Sequence, residues 1–424
     1  MWPLNRRVLS YLGVKNYASM KDQKGIAGCL NMKICLISKY PPIEGGESSK
    51  AYWLSKGLGE RGHEIFVVTN AWEVESEYRE NFIEEDIDNY QPKNVTVYNT
   101  SPFLNPRYIP YANPYTEKLA SLAIDVIRRH NADLIDSWYI LPYCISAFIT
   151  KTITNKPQIL RHAGSDMSRL LDSPYLNTLF VDIFNRVDKI VTYPGTKERF
   201  LSMGVPESKI FLNKVSVDTN AFNPNSKPFD ISTCRENYTE DIPIITYIGK
   251  ASKQKGIFEL VKALSKINEN FILLLVTKGH EIQKLKYDIK RLKLENKTLF
   301  LDFIPPWKIP SIMKASTCIV SPEWNFPVIS HTPILPREAM CTGKCTILSE
   351  ELFNKRTYRD MEDGIHTKVV NPSNIDNFKI KLEEVIKNPN EAEEIGSNAR
   401  KLAGKYENFD KYLKNIEELY KSFI

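Results

Sequence analysis

The sequence predicts an α/β protein made of two parallel-sheet domains in tandem, and three observations carry that prediction. The chain has 424 residues, beyond the size at which a single hydrophobic core keeps growing. Short apolar runs alternate with stretches of helical period along most of it, the pattern of strands covered on both faces by crossover helices. A polar segment, 223–242 (NPNSKPFDISTCRENYTEDI), breaks the rhythm near the middle, and the alternation then restarts.

Taken in order, residues 1–31 match neither a signal peptide nor a strand. Arg6 and Arg7 precede too short an apolar run, and no small-residue cleavage site follows. They read as a loose extension, with Met32 near the start of the folded domain. Residues 32–38 (MKICLIS) form a continuous apolar run of the buried-strand kind. Pro41, Pro42, Gly45 and Gly46 break the chain, and Ala51, Leu54 and Leu58 then repeat at helical spacing up to Gly62, which can cap a helix. The second strand spans 64–69. Strands at 95–98, 133–136, 157–161 and 188–192 and helices near 114–130, 140–149, 175–185 and 196–203 fill the rest of the first half. The second half has strands at 243–248, 271–276, 297–303, 317–321 and 345–348, with helices at 257–266, 281–294, 308–315, 336–342 and 374–387. A last helix, near 408–423, is amphipathic through Phe409, Tyr412, Leu413, Ile416 and Leu419. The expected domains are therefore 32–225 and 226–405, with 406–424 a helix that packs back on the first.

The composition, 42% apolar and 25% charged, is that of an ordinary globular protein. A net charge of +6 suits an anionic ligand or an anionic membrane surface, but it is too small and diffuse for nucleic acid. Six His and seven Cys form no metal-spaced cluster. Cys341 and Cys345 come closest, and they flank a helix-to-strand turn where a buried structural role is expected. Scattered cysteines, odd in number, argue against a disulfide framework and for a reducing compartment. No run reaches membrane-span length; 139–149 (YILPYCISAFI) is short and interrupted.

Four segments could carry chemistry, each at a strand end. Pro41–Gly46 (PPIEGG) precedes a helix, so its glycines let backbone amides approach a phosphate; an ordinary tight turn explains it equally well. Tyr247–Gly256 (YIGKASKQKG) places Gly249, Lys250 and Lys255 outside a strand's carboxyl end, where two ammonium groups could neutralise a diphosphate. The alternative is a solvated basic loop. Glu338 starts a helix and could accept hydrogen bonds from ribose hydroxyls or simply face the helix dipole. Arg161–Asp166 (RHAGSD) brings His162, Ser165 and Asp166 together. Without a G-x-S-x-G elbow this is a polar sugar-binding edge rather than a hydrolase triad.

In this order and spacing, the four segments resemble glycosyltransferase family 4 of the GT-B superfamily. MKICLISKYPPIEGGESSKAYWLSKGLGERGHEIFVVT is similar to the family's opening, and VDKIVTYPGTKERFLSMGVPESKIFLNKVSVDTNAFNP to its domain-closing segment. YIGKASKQKGIFELVKAL resembles its donor-phosphate loop and REAMCTGKCTILS its acidic helix. The resemblance implies two Rossmann-like domains facing a central cleft. It implies a retaining enzyme that moves a hexosyl unit from a UDP- or GDP-sugar to a glycan or lipid-linked acceptor in polysaccharide or glycoconjugate synthesis. It also implies that neither cofactor nor metal is required. At matching positions Lys255 is similar to the diphosphate-binding lysine, Glu338 to the ribose-binding glutamate, and Gly45 and Gly46 to the loop that closes over the phosphate. Lys250 stands where the family has arginine, so a fork becomes a point charge. His162 and Asp166 fall near the family's His-Gly-x-Asp, with His162 one place early. The family's first glutamate corresponds to Ser330, beside His331 and Thr332, and Glu323 lies too far upstream to take that place unless the loop 324–336 is enlarged. Asp86-Ile87-Asp88 matches the Asp-x-Asp of metal-dependent transferases but reads as solvated charge. Residues 101–118 (SPFLNPRYIPYANPYTEK) are an aromatic segment suited to sugar stacking or weak membrane-surface attachment, or equally a proline-rich surface loop packed on its own domain; the expected location is the cytoplasm, with peripheral attachment at the inner membrane face. Two other readings stand beside this one: a non-catalytic nucleotide-sugar-binding protein, and a Rossmann-type epimerase or dehydrogenase. The second lacks both G-x-G-x-x-G and an acidic residue after strand two, where Asn70 stands.

Overall fold

The first half of the chain supplies one all-parallel sheet and the second half another. Strands β1 (Lys33–Ser38), β2 (Glu64–Thr69), β3 (Val95–Asn99), β4 (Leu134–Trp138), β5 (Gln158–Arg161), β6 (Lys189–Thr192) and β7 (Ile210–Leu212) lie in the order β3-β2-β1-β4-β5-β6-β7. Strands β8 (Ile244–Ile248), β9 (Ile272–Val276), β10 (Thr298–Leu301), β11 (Cys318–Ser321), β12 (Cys345–Ser349) and β13 (Lys368–Val370) lie in the order β10-β9-β8-β11-β12-β13. The central strands are apolar throughout because helices cover both faces: ILLLV of β9 is wholly buried. This computed structural model describes residues 31–102, 113–235, 238–239, 241–328 and 331–424. The extension 1–30, most of the aromatic segment 101–118, and Ser330 lie outside the described residues.

Both sheets reverse their winding at the first strand. Leu36 of β1 pairs with Val67 on one side and Asp136 on the other, and β8 lies between β9 and β11. Where strand order reverses, adjacent crossovers leave on opposite faces, and a crevice opens outside the strands' carboxyl ends. The loops after β1, β4, β8 and β11 thus define where ligands can enter.

Helix α1 (Gly46–Glu60) follows the glycine turn, and α2 (Leu335–Thr342) carries Glu338. Helix α3 (Pro389–Ala403) rests on α2. A Cβ on Gly396 would sit 2.3 Å from the Gly343 carbonyl oxygen, so only glycine lets the backbones approach this closely. The last helix, α4 (Phe409–Lys421), crosses to the first half and buries its apolar stripe there. Phe409 and Leu413 fill the space that Gly57 of α1 leaves open. Arg61 donates two hydrogen bonds to Glu417 (2.8 and 2.9 Å), and His63 Nε2 lies 2.9 Å from the same carboxylate. Deeper in, Arg161 Nε donates to both Asp136 oxygens (2.9 Å), and the Tyr420 hydroxyl donates to Asp136 Oδ2.

Three expectations change locally. The helix expected near 140–149 starts at Ile145, after an irregular turn Ile140–Cys144, because Pro142 has no N–H to give and Tyr139 is held at φ 78°. The polar stretch 223–242 is anchored on the second half: Phe229 N–H donates to the Ser311 carbonyl, and Ile231 is buried beside Ile244 and Ile272. Asp86, read as solvated charge, is 2% exposed. Its Oδ1 accepts from Trp307 Nε1 (2.9 Å) and its Oδ2 pairs with Lys308 Nζ (2.8 Å), which ties the two halves together.

Candidate active site

A cleft of about 1520 Å³ runs between the carboxyl ends of the two sheets. Its first-half wall includes Lys39, Gly45, Gly46, Tyr139, His162 and Lys214; its second-half wall includes Gly249, Lys250, Lys255, Glu323, His331 and Glu338. Nearly all of these side chains follow a strand end, as the winding reversal requires.

The second-half wall is built on Gly256. At φ 69°, with a Cβ position only 2.0 Å from the Pro322 carbonyl oxygen, no other residue fits, and the loop after β8 is thereby pressed against the loop after β11. That contact sets Lys255 Nζ 2.6 Å from Glu323 Oε1, with His331 Nε2 3.0 Å from Glu323 Oε2. Phe326 lies beneath the group: His331 stacks on its ring at 4.2 Å, and the Lys255 ammonium stands 4.6 Å from its centroid. Burial would push the Glu323 carboxyl up, but Lys255 and His331 outweigh it and hold it at about 2. Glu323 is therefore ionised and keeps Lys255 facing the cleft.

Lys250 crosses the cleft. Its Nζ pairs with Glu44 Oε1 at 2.5 Å, beside the glycine turn, and lies 5.0 Å from the Tyr78 ring centroid. Gly45 itself has φ 113° and stands directly before α1, whose first turn opens into the cleft. The resulting site has two lysines from one half, and backbone amides and a helix N-terminus from the other. Such an arrangement suits a phosphate ester. Opposite, Glu338 is buried at the start of α2, and burial raises its carboxyl to about 7. Its neighbour Arg337 points away, donating to Glu407 at 2.6 and 2.7 Å and to the Val215 carbonyl at 2.7 Å. Glu407 in turn accepts from Val217 N–H (2.9 Å), so this buried pair clamps the chain crossing to the base of the cleft.

The remaining expected residues divide. His162 lines the cleft, but both its nitrogens face its own half: Nε2 is 2.8 Å from Thr192 Oγ1 and Nδ1 is 3.3 Å from the Ala163 carbonyl. A carbonyl only accepts, so Nδ1 carries the proton. Burial lowers this imidazole to about 4, leaving it neutral. Asp166 is not on the cavity wall. Its Oδ2 accepts from the N–H groups of Ile140 (3.2 Å) and Ala163 (2.8 Å), so it shapes the edge from behind. His331 and Thr332 line the cleft, and Ser330 lies outside the described residues. Lys39, Glu44, Tyr139 and Glu323 were not singled out as site residues, although all four sit just beyond strand ends, the one positional rule that marks them.

Residues 45–220 match the family described as Glycosyltransferase Family 4, and residues 234–402 match Glycosyl transferases group 1. The fold is shared with HepE from Anabaena, solved with UDP-glucose (TM-score 0.66, 17% identity, 92% of this chain and 100% of that one). It is also shared with sucrose-phosphate synthase from Thermosynechococcus elongatus (TM-score 0.65, 16% identity, 92% and 99%). Among sequence relatives, MJ1607 of Methanocaldococcus jannaschii, described as an uncharacterized glycosyltransferase, is 25% identical over 92% of this chain and 98% of its own. The N-acetyl-alpha-D-glucosaminyl L-malate synthase of Bacillus anthracis is 27% identical over 62% and 66%. Two parallel sheets around a cleft of this kind are the GT-B fold of these structures, and the two family matches make the chain a glycosyltransferase of that fold. Within that class the chain belongs to glycosyltransferase family 4. No described helix is long and apolar enough to cross a membrane.

Proposed function

We propose that this transferase takes a hexosyl unit from a UDP- or GDP-sugar, with retention, and passes it to a glycan or lipid-linked acceptor of surface polysaccharide or glycoconjugate synthesis. The observation that carries the reading is the Lys250–Glu44 pair, which sets a lysine of the second-half wall beside the Gly45-Gly46 turn, with Lys255 and Glu338 lining the same cleft. HepE, of the same fold, was solved with UDP-glucose, which supports a nucleotide-sugar donor. In this reading the diphosphate lies between the two lysines and the glycine turn, Gly249 lets it approach the loop, and the ribose hydroxyls donate to Glu338. His331 and Thr332, which follow the expected Ser330, lie along the transferred sugar, with His162 and Asp166 forming and supporting the edge against which it rests.

As the sugar–phosphate bond breaks, negative charge grows on the departing diphosphate, and fixed ammonium groups stabilise that charge more than the ground state. The departing phosphate takes the acceptor's proton, so the reaction needs no protein nucleophile and no metal. A cleft already joined by Lys250–Glu44 supports water exclusion during transfer. Peripheral attachment to the inner membrane face is proposed on the net charge of +6. Product analysis by NMR with a panel of UDP- and GDP-sugars tests the reading; an inverted anomer would overturn it.

A further inference from the structure

We propose that the acceptor carries an anionic group, a phosphate or a carboxylate, which Lys39 and Arg169 bind on the first-half wall of the cleft. This rests on the transferase reading above. Lys39 stands at the carboxyl end of β1, at the winding reversal, and its ammonium is 4.1 Å from the centroid of the Tyr139 ring. Tyr139 is the first residue after β4 and is held at φ 78°, a backbone state costly for an aromatic residue. Its hydroxyl lies 3.2 Å from Ser165 Oγ, so the ring is fixed from both ends. Lys39 and Arg169 have no ion-pair partner within 4.0 Å among the described residues, and both line the cleft.

The carboxylates that could neutralise them are engaged elsewhere. Glu44 is taken by Lys250 (2.5 Å) and Glu47 by Lys50 (2.7 Å). Asp166 lies behind the wall on two backbone N–H groups. Burial, then the neighbouring Glu44 and Asp86, push Glu80 well above the usual carboxylate range, so it stays protonated. The acceptor side thus holds two cations without an ion-pair partner among the described residues, with Glu47, Glu44 and Asp166 near enough to Lys39 to offset only part of its burial. Burial, then Lys250, also lowers the Lys39 ammonium, a cost that an arriving anion would remove. The lysines read as donor contacts lie on the opposite wall and are each already paired.

The test uses the full chain saturated with UDP, which fills the donor side. Glucose 6-phosphate, glucuronate, methyl glucoside and a prenyl phosphate in mixed micelles are titrated by calorimetry against wild type, Lys39→Met, Lys39→Arg and Arg169→Gln. The expected result is that the anionic probes bind at least about tenfold tighter than methyl glucoside. That preference should fall about tenfold in Lys39→Met, fall less in Arg169→Gln, and survive in Lys39→Arg. Preference for the prenyl phosphate would name a lipid source, and preference for the sugar anions a soluble one. Equal binding of neutral and anionic probes, unchanged preference in both neutral variants, or displacement of UDP by the anions would overturn the proposal. Failure of the wild type to bind UDP would instead strike at the donor reading.

Discussion

Lys255 and Glu338 are where the account is most exposed at the scale of single residues. Lys255→Ala removes a charge from the departing diphosphate, and the expected cost is about 2–4 kcal/mol of barrier, or roughly 30- to 1000-fold in kcat. It also strands the buried Glu323 carboxylate with only His331 for company. The double variant Lys255→Ala/Glu323→Gln should therefore regain melting temperature without regaining activity. Near-normal turnover in either folded protein would remove the phosphate role. Glu338 predicts a pH dependence. Its carboxyl is raised from 4.5 to about 7 in the fold, so its contribution to stability is complete below 4.5 and lost as pH rises through about 7. Against Glu338→Gln, the wild type should lose about 1–3 kcal/mol in urea melts across that interval. Donor affinity should move the other way, rising with pH as the acceptor form of Glu338 fills, and it should be flat in the Gln variant.

At the scale of elements, the loop after β8 depends on one glycine. Gly256→Ala combines αL strain of about 1–3 kcal/mol with a clash against the Pro322 carbonyl, so melting temperature and activity should fall together. A stable, active Gly256→Ala enzyme would show that the packing of the two loops is not what positions Lys255. Long periodic elements such as α1 and β9 were legible in the sequence because apolar spacing reports burial directly. Strand β7, three residues at a sheet edge with only partial burial, has too little alternation to be read. Helix α3 escaped because its buried face is largely alanine and glycine (Ala392, Gly396, Ala399), which contribute close approach rather than hydrophobicity. In the site, the glycine turn and lysine loop were legible because each is local in sequence. The Lys255–Glu323–His331 group was not, since an enlarged loop separates Glu323 from Glu338 and only folding brings it to Lys255.

For the whole molecule, the question is what holds the two sheets about the cleft. Among the described residues the links are both polar and apolar: Glu44 to Lys250, Asp86 to Trp307 and Lys308, and Asn81 Nδ2 to Asp302 Oδ2 at 3.1 Å, with the rings of Tyr52 and Phe82 against Trp307, while Arg337, Glu407 and α4 secure the far side. Asp86→Ala removes the acceptor of the half-buried Trp307 N–H and the ion-pair partner of the partly exposed Lys308, and should destabilise by about 1–3 kcal/mol. It should also raise the donor KM more than it lowers kcat, because the cleft opens more readily. Addition of divalent metal should not restore either parameter; rescue by metal would make Asp86 a ligand rather than a link.

The central claim is that this cleft binds a nucleotide sugar through fixed cations and needs no metal. It is tested most directly by thermal shift of the intact protein with UDP-, GDP- and ADP-sugars, each with and without EDTA, because a ligand that binds only the native state raises its melting temperature. A UDP- or GDP-sugar should raise the melting temperature, EDTA should leave that rise unchanged, and Lys255→Ala should abolish it. No rise with any nucleotide sugar, or a rise that EDTA removes, would contradict it.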